Sequence, residues 1–190
     1  MSQLSVLEYS LGELRRVITD LDDIEMDVPS NCPPWTVRRL ASHALNNQLL
    51  WAGMVTGAQL VSPEDTMSAV SYEGDLAAYA GAVMDRALEL WRTDGVLEQT
   101  HTTPLGELPG TIVINFPTVD AFAHAWDLSA SVGHALEFAP EQLPAISAIV
   151  HATCTDAARE HGLIQPVTAA PDDATETEQL MTLAGRAIPR

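Results

Sequence analysis

From Leu4 onward, leucine and isoleucine return at spacings of three and four: Leu4, Leu7, Leu11, Leu14, Ile18 and Leu21. That period places the apolar side chains on one stripe of a helix, and the stripe has to be covered by other elements. A strand would throw alternate residues of the same set to opposite faces, so the segment commits the chain to helix-on-helix packing.

The helical reading continues along the chain between strong breaks. In "DVPSNCPPWTVRRL" two adjacent prolines exclude a helix interior, and Thr36 is placed to cap a second helix that runs to about Gly57. "AQLVSPEDTMSAVSYEG" reads as a polar connection. A third helix from about Asp75 to Thr93 carries Leu76, Ala80, Val83, Ala87 and Leu90 on one face and stops at Gly95. The period then changes: "VLEQTHTT" and "TIVINF" are rich in β-branched residues and flank "PLGELPG", which predicts a short two-stranded excursion. "TVDAFAHAWDLSASVG" is the fourth helix, with Pro117 near its first turn and Gly133 past its end. A fifth presents Leu143, Ile146, Val150 and Ala157 inward and fades at His161 and Gly162. Last comes a loop and a short helix, where Thr175 and Glu178 match a capping box. The expected fold is mainly all-α: a four-helix bundle in one domain over residues 1–190, with about 163–190 as a C-terminal strap packed on it.

Composition narrows function by exclusion. The 190 residues, 46% of them hydrophobic, suit one compact domain. Nine Lys+Arg against 26 Asp+Glu give a formal charge of -17, which repels a phosphate backbone or an anionic membrane, so no nucleic-acid partner is expected. No basic start followed by an apolar run marks a signal peptide, and no segment reaches the ~18 uninterrupted apolar residues of a membrane span. A cytoplasmic protein without a membrane partner is expected. Cys32 and Cys154 form no CxxC pair, which agrees with a reducing compartment. No Gly-rich phosphate loop and no nucleophile elbow is present.

The chemistry concentrates in two helices. Residues four apart on a helix lie about 6 Å apart along the axis on nearly one face, so Asp120 and His124 set a carboxylate beside an imidazole, and Asp127 continues the stripe. Their neighbours, Val119, Ala121, Phe122, Ala123, Ala125, Trp126 and Leu128, leave little polar surface, and an unpaired buried carboxylate costs several kcal/mol. On the second helix His43 shares a face with Leu40, Ala44, Asn47 and Trp51. Two imidazoles and a carboxylate that leave coordination positions open match catalytic zinc or non-haem iron. A metal would stabilise the buried charge. The same residues also admit a plainer reading, in which His43 is a hydrogen-bonded core histidine and the Asp120–His124 spacing is an ordinary side-chain pair. Asp127 reads first as a hydrogen-bond partner for a neighbouring loop, with support of a metal-bound histidine as the alternative. Asn47 and Trp51 are candidate pocket walls. His151 and Cys154, in "HATC", read as core packing, and His101, His134 and His161 sit at element ends without a special role.

"PPWTVRRLASHAL", "DAFAHAWDLSASVG" and "PDDATETEQLMTLAGR" together resemble the actinobacterial branch of the DinB-like superfamily that includes the mycothiol-dependent maleylpyruvate isomerases. The W-T-V-R-x-L-x-x-H and H-x-W-D-L elements carry that likeness. It implies a four-helix bundle with a divalent metal held by His43, Asp120 and His124, zinc first and nickel or iron as alternatives, and mycothiol as cosubstrate. The isomerases of this family have Glu where Asp120 stands and a further C-terminal domain, whereas this chain ends at Arg190. The implied activity is a thiol transferase or isomerase-like reaction on a small molecule, because a divalent cation deprotonates a bound thiol. Other readings remain: a metal-dependent hydrolase, a non-catalytic metal or small-ligand binder, or a helical homodimer that leaves His43 far from His124.

Overall fold

The computed structural model describes residues 2–189. Its elements, in chain order, are α1 (Gln3–Asp20), α2 (Val37–Thr56), α3 (Pro63–Met67), α4 (Leu76–Trp91), β1 (Thr100–Thr103), β2 (Gly106–Pro109), α5 (Gly110–Val113), α6 (Asn115–Ser131), α7 (Leu143–Thr153), α8 (Asp156–Glu160) and α9 (Glu176–Leu183). Four helices close a ring in which α1 packs on α6, α6 on α2, α2 on α4 and α4 on α1. The stripe that begins at Leu4 is the inner face of α1, with Leu7, Leu11, Leu14 and Ile18 almost wholly buried. Each such side chain stabilises the bundle by about 1.5–3 kcal/mol. Ser2, Thr36, Asp75 and Thr175 accept hydrogen bonds from the first turns of α1, α2, α4 and α9, which starts each helix where its apolar stripe begins.

The most consequential element is α6. From Ala121 to Ser129 every residue is buried, because α1, α2, α5 and α7 surround it. His124 and Asp127 are therefore buried, and Asp120, just before this run, keeps 13% of its side chain exposed. Among the described residues no helix is long and apolar enough to cross a membrane.

Three local expectations are corrected. "TIVINF" is helical: α5 and the start of α6 occupy it, and β1 pairs antiparallel with "GELP", Thr100 opposite Pro109 and Thr103 opposite Gly106. The turn lies earlier than its prolines and glycines suggested. Gly110 decides this, since a Cβ there would meet the Val96 carbonyl oxygen at 2.0 Å; its bare backbone slots under the preceding loop and donates to Gln99 O. Tertiary fit overrides the β-branched preference. The polar connection after α2 contains α3, capped by Ser62 with Pro63 in its first turn. The fifth helix breaks at Cys154, where Thr155 caps a new turn through Ala158 N, so Ala158 is buried and Ala157 is exposed. The capping box of Thr175 and Glu178 is present, and α9 packs on α7.

Candidate metal centre

Helices α2 and α6 lie side by side and bring His43, Asp120 and His124 together, with one ligand atom from each within 4.8 Å of the others. The two imidazoles meet edge to face with centroids 5.3 Å apart. His124 Nε2 stands 3.4 Å from Asp120 Oδ1.

The hydrogen bonds decide which nitrogen each ring offers. His43 Nδ1 lies 2.8 Å from the Thr66 carbonyl oxygen, and a carbonyl can only accept, so the proton sits on Nδ1 and Nε2 keeps its lone pair when the ring is neutral. His124 Nδ1 lies 2.9 Å from Asp127 Oδ2, which assigns the same tautomer. His124 Nε2 faces Asp120, where it donates while the ring is charged and is left with a lone pair when the ring is neutral. Asp120 is oriented in turn: Asn47 donates to Oδ1 at 2.7 Å and Gln48 to Oδ2 at 3.1 Å. Trp35 lies against the His43 ring at 4.7 Å between centroids. Trp51 stacks on Phe116 at 5.0 Å, one turn from Asn47 on α2 and one turn from Asp120 on α6.

Electrostatics follow from burial and pairing. Burial and the adjacent His124 hold His43 below the ordinary imidazole range. At His124 burial also opposes protonation, but Asp120 and then Asp127 outweigh it and raise the pKa well above the ordinary value. Burial pushes the Asp120 carboxyl up, and His124, followed by His43 and the Asn47 amide, brings it below its usual range. Asp127 is also held below the usual carboxylate range, because Arg186 and then His124 overcome the burial penalty.

Asp127 has no exposure and is held by four groups. Asn31 Nδ2 donates to Oδ1 at 3.0 Å, while His124 Nδ1, the Cys32 thiol at 3.3 Å and the Arg186 guanidinium at 3.1 Å share Oδ2. Asp127 thus bonds the Pro-rich loop before α2, as its first reading has it, and the same carboxylate also bonds the His124 ring. Cys32, His124 and Asp127 also fall within 4.8 Å of one another, but the guanidinium already covers the carboxylate oxygen they would offer. His151 is exposed and bonds the Ser147 carbonyl of its own helix, so it is not core packing; Cys154 is half-buried. His101 is buried and bonds Val96 O, whereas His134 and His161 are exposed.

Sequence reasoning did not find Thr66, Gln48, Asn31, Cys32 or Arg186. One signal was available: Asn46, Asn47 and Gln48 form a run of amides in an otherwise apolar helix, and a buried amide implies a buried partner. The donor set fits a divalent metal, since two imidazole nitrogens and a carboxylate oxygen face one point and the second ring nitrogens are tied to a carbonyl and a carboxylate, the usual support of metal-bound histidine.

The fold and this cluster define a mainly helical bundle with a His/Asp/His set between two of its long helices. The chain belongs to the family of the mycothiol maleylpyruvate isomerase N-terminal domain, whose family model matches residues 7–129. An uncharacterised protein of Mycobacterium tuberculosis, found in two strains, is 32% identical over 115 residues, or 60% of this chain. The match spans 58% of the length of those relatives. A crystal structure of the mycothiol-dependent maleylpyruvate isomerase superposes with a TM-score of 0.66 at 19% identity, over 86% of this chain and 72% of that one. A mutant of the same enzyme gives the same TM-score at 18% identity. The solved structures share the fold.

Proposed function

We propose that this chain holds a divalent metal ion, zinc first among the candidates, between His43, Asp120 and His124, and uses mycothiol as cosubstrate in a transfer or isomerisation on a small electrophile. The observation that carries the reading is the pairing of the two Nδ1 atoms: Thr66 O and Asp127 Oδ2 accept from them, so Nε2 is the nitrogen each ring has left to offer, at His43 directly and at His124 once its second proton is displaced. The mycothiol dependence of the solved isomerase and the family of this chain support the thiol.

When bound, a divalent cation would supply the deprotonation that a thiol lacks at neutral pH. The remaining work falls to residues of the chain. Asn47 and Gln48 aim the Asp120 carboxylate, Thr66 and Asp127 fix the two imidazoles, and Trp35 shields the His43 face from water. The Trp51–Phe116 stack, one turn from Asn47 and from Asp120, is our candidate for an apolar wall against the electrophile.

Metal analysis of the purified chain offered zinc is expected to find one ion per chain, lost in His124→Ala. With cobalt in place of zinc, mycothiol should add a sulfur-to-metal charge-transfer band that is absent in Asp120→Ala. An ion that stays bound while no thiol changes its spectrum would replace the transferase reading with a metal-dependent hydrolase or a non-catalytic binder.

A further inference from the structure

Arg186 lies outside every helix, 59 residues from Asp127, yet its guanidinium reaches that buried carboxylate with both Nε and Nη2 at 3.1 Å. The chain delivers it there by a defined turn. After α9, Gly185 takes a φ of 83°, Gly185 N bonds Thr182 O at 3.0 Å and Arg186 N bonds Met181 O at 2.9 Å, which together make a Schellman ending. A side chain at Gly185 would also meet the Gln165 carbonyl at 2.6 Å. Thr168 holds the Arg186 carbonyl, and Arg186 Nη1 bonds Ala184 O at 2.7 Å, so the guanidinium is fixed from its own segment as well.

We infer that Arg186 is a positioning residue for the metal centre: it clamps Asp127, and Asp127 holds the His124 ring with Nε2 turned toward His43 and Asp120. The inference rests on the metal reading above and extends it to the C-terminal segment. The geometry that carries it is the sharing of one oxygen. Asp127 Oδ2 accepts from His124 Nδ1 and from Arg186, and Asn31 holds the other oxygen, so the carboxylate cannot rotate to release the imidazole while both clamps are in place. Loss of the guanidinium leaves Asn31 on Oδ1 and, beside His124, only the weaker Cys32 thiol on Oδ2. The imidazole then gains freedom to turn its free nitrogen away, and the ordering that was built into the apo protein has to be supplied at binding. The segment after α9 thus sets how tightly α2 and α6 hold an ion they alone ligate.

The test is a double-mutant cycle on zinc affinity, read by competition with a chromophoric chelator, for wild type, Arg186→Met, Asp127→Asn and the pair. Arg186→Met is expected to weaken zinc about 10–100-fold, the range for lost support of a metal ligand, and to alter the cobalt absorption spectrum. If Arg186 acts through Asp127, the pair should lose no more than Asp127→Asn alone. Independent losses that multiply would overturn the inference, as would unchanged zinc affinity in Arg186→Met. Should Arg186→Met fail to fold, Arg186→Lys decides: it keeps the charge but not the fork, so a cobalt spectrum and zinc affinity equal to wild type would also overturn the clamp. A wild-type chain that binds no zinc would instead remove the metal reading itself.

Discussion

Zinc binding is expected to expel one proton per ion at neutral pH, and this follows from the unequal state of the two histidines. In the metal-free cluster His124 sits between Asp120 and Asp127, 3.4 and 2.9 Å from their oxygens, and its pKa is raised well above the ordinary value, so it carries a proton. His43 is shifted the other way and is already neutral, and Asp120 is already ionised. An ion entering the cluster therefore displaces the His124 proton and no other. Below the raised pKa of His124 the apparent dissociation constant should rise about tenfold, or about 1.4 kcal/mol, for each pH unit of acidification.

The sign for stability is opposite in the two forms. A raised folded pKa contributes stability to the metal-free protein that is fully present below the unfolded imidazole value of about 6.5 and is lost as pH rises through the folded pKa. The metal-bound form, which holds His124 without that proton, gains only as pH rises toward the unfolded value and is level above it, so over this window the metal-free form alone loses stability. The drop in melting temperature caused by a chelator should then widen from mildly acidic to mildly alkaline pH. Calorimetric titration of zinc in two buffers of different ionisation enthalpy counts the protons released. Two protons at neutral pH would mean that His43 is charged as well, and none would mean that His124 is neutral before the metal arrives; either result refutes the electrostatic account.

Asp120→Asn removes the partner that most raises His124, so the residual zinc binding of that variant should lose its pH dependence near neutrality, as read by the same chelator competition. His43→Ala and His124→Ala should each abolish zinc retention in metal analysis, whereas His151→Ala, an exposed residue bonded only within its own helix, should leave content and melting temperature unchanged. Phe122→Ala opens a cavity beside Phe138 in the centre of the bundle and is expected to lower unfolding free energy by about 3–5 kcal/mol in denaturant titration. At zinc near 100 times its dissociation constant, the ion should add about 2.7 kcal/mol of stability that a chelator removes.

The four long helices were legible from local signals: apolar stripes of helical period on α1 and α4, Thr36 as the cap of α2, and Gly57, Gly95 and Gly133 beyond the ends of α2, α4 and α6. What was misread depends on partners elsewhere in the chain. "TIVINF" has a strand-like composition, and only the fit of Gly110 under the Val96 carbonyl turns it into helix. The break at Cys154 depends on the competing bond from Thr155, a local signal that an unbroken apolar pattern concealed. Likewise the meeting of His43, Asp120 and His124 was readable because two share one face of α6 and the third lies inward on α2. Their supports were not, since Thr66, Asn31 and Arg186 come from a short helix, a Pro-rich loop and the C-terminal segment, whose approach no periodicity encodes.

Those supports also settle how α6 can bury so much charge. Asp120 and Asp127 bring two negative charges into a helix with almost no solvated side, and Arg186 cancels one of them. With both imidazoles neutral the cluster would hold one uncompensated negative charge, which is costly in a dry interior. A proton on His124 restores balance in the metal-free protein, in agreement with its raised pKa. A divalent ion in place of that proton, as proposed here, leaves one positive charge in excess. The cluster would then favour an anionic ligand over a neutral one, and a thiolate meets that demand better than a thiol. The same balance assigns Arg186 a second consequence: without it the excess positive charge disappears, and mycothiol should lose more affinity for the cobalt-loaded Arg186→Met variant than a neutral thioether probe does.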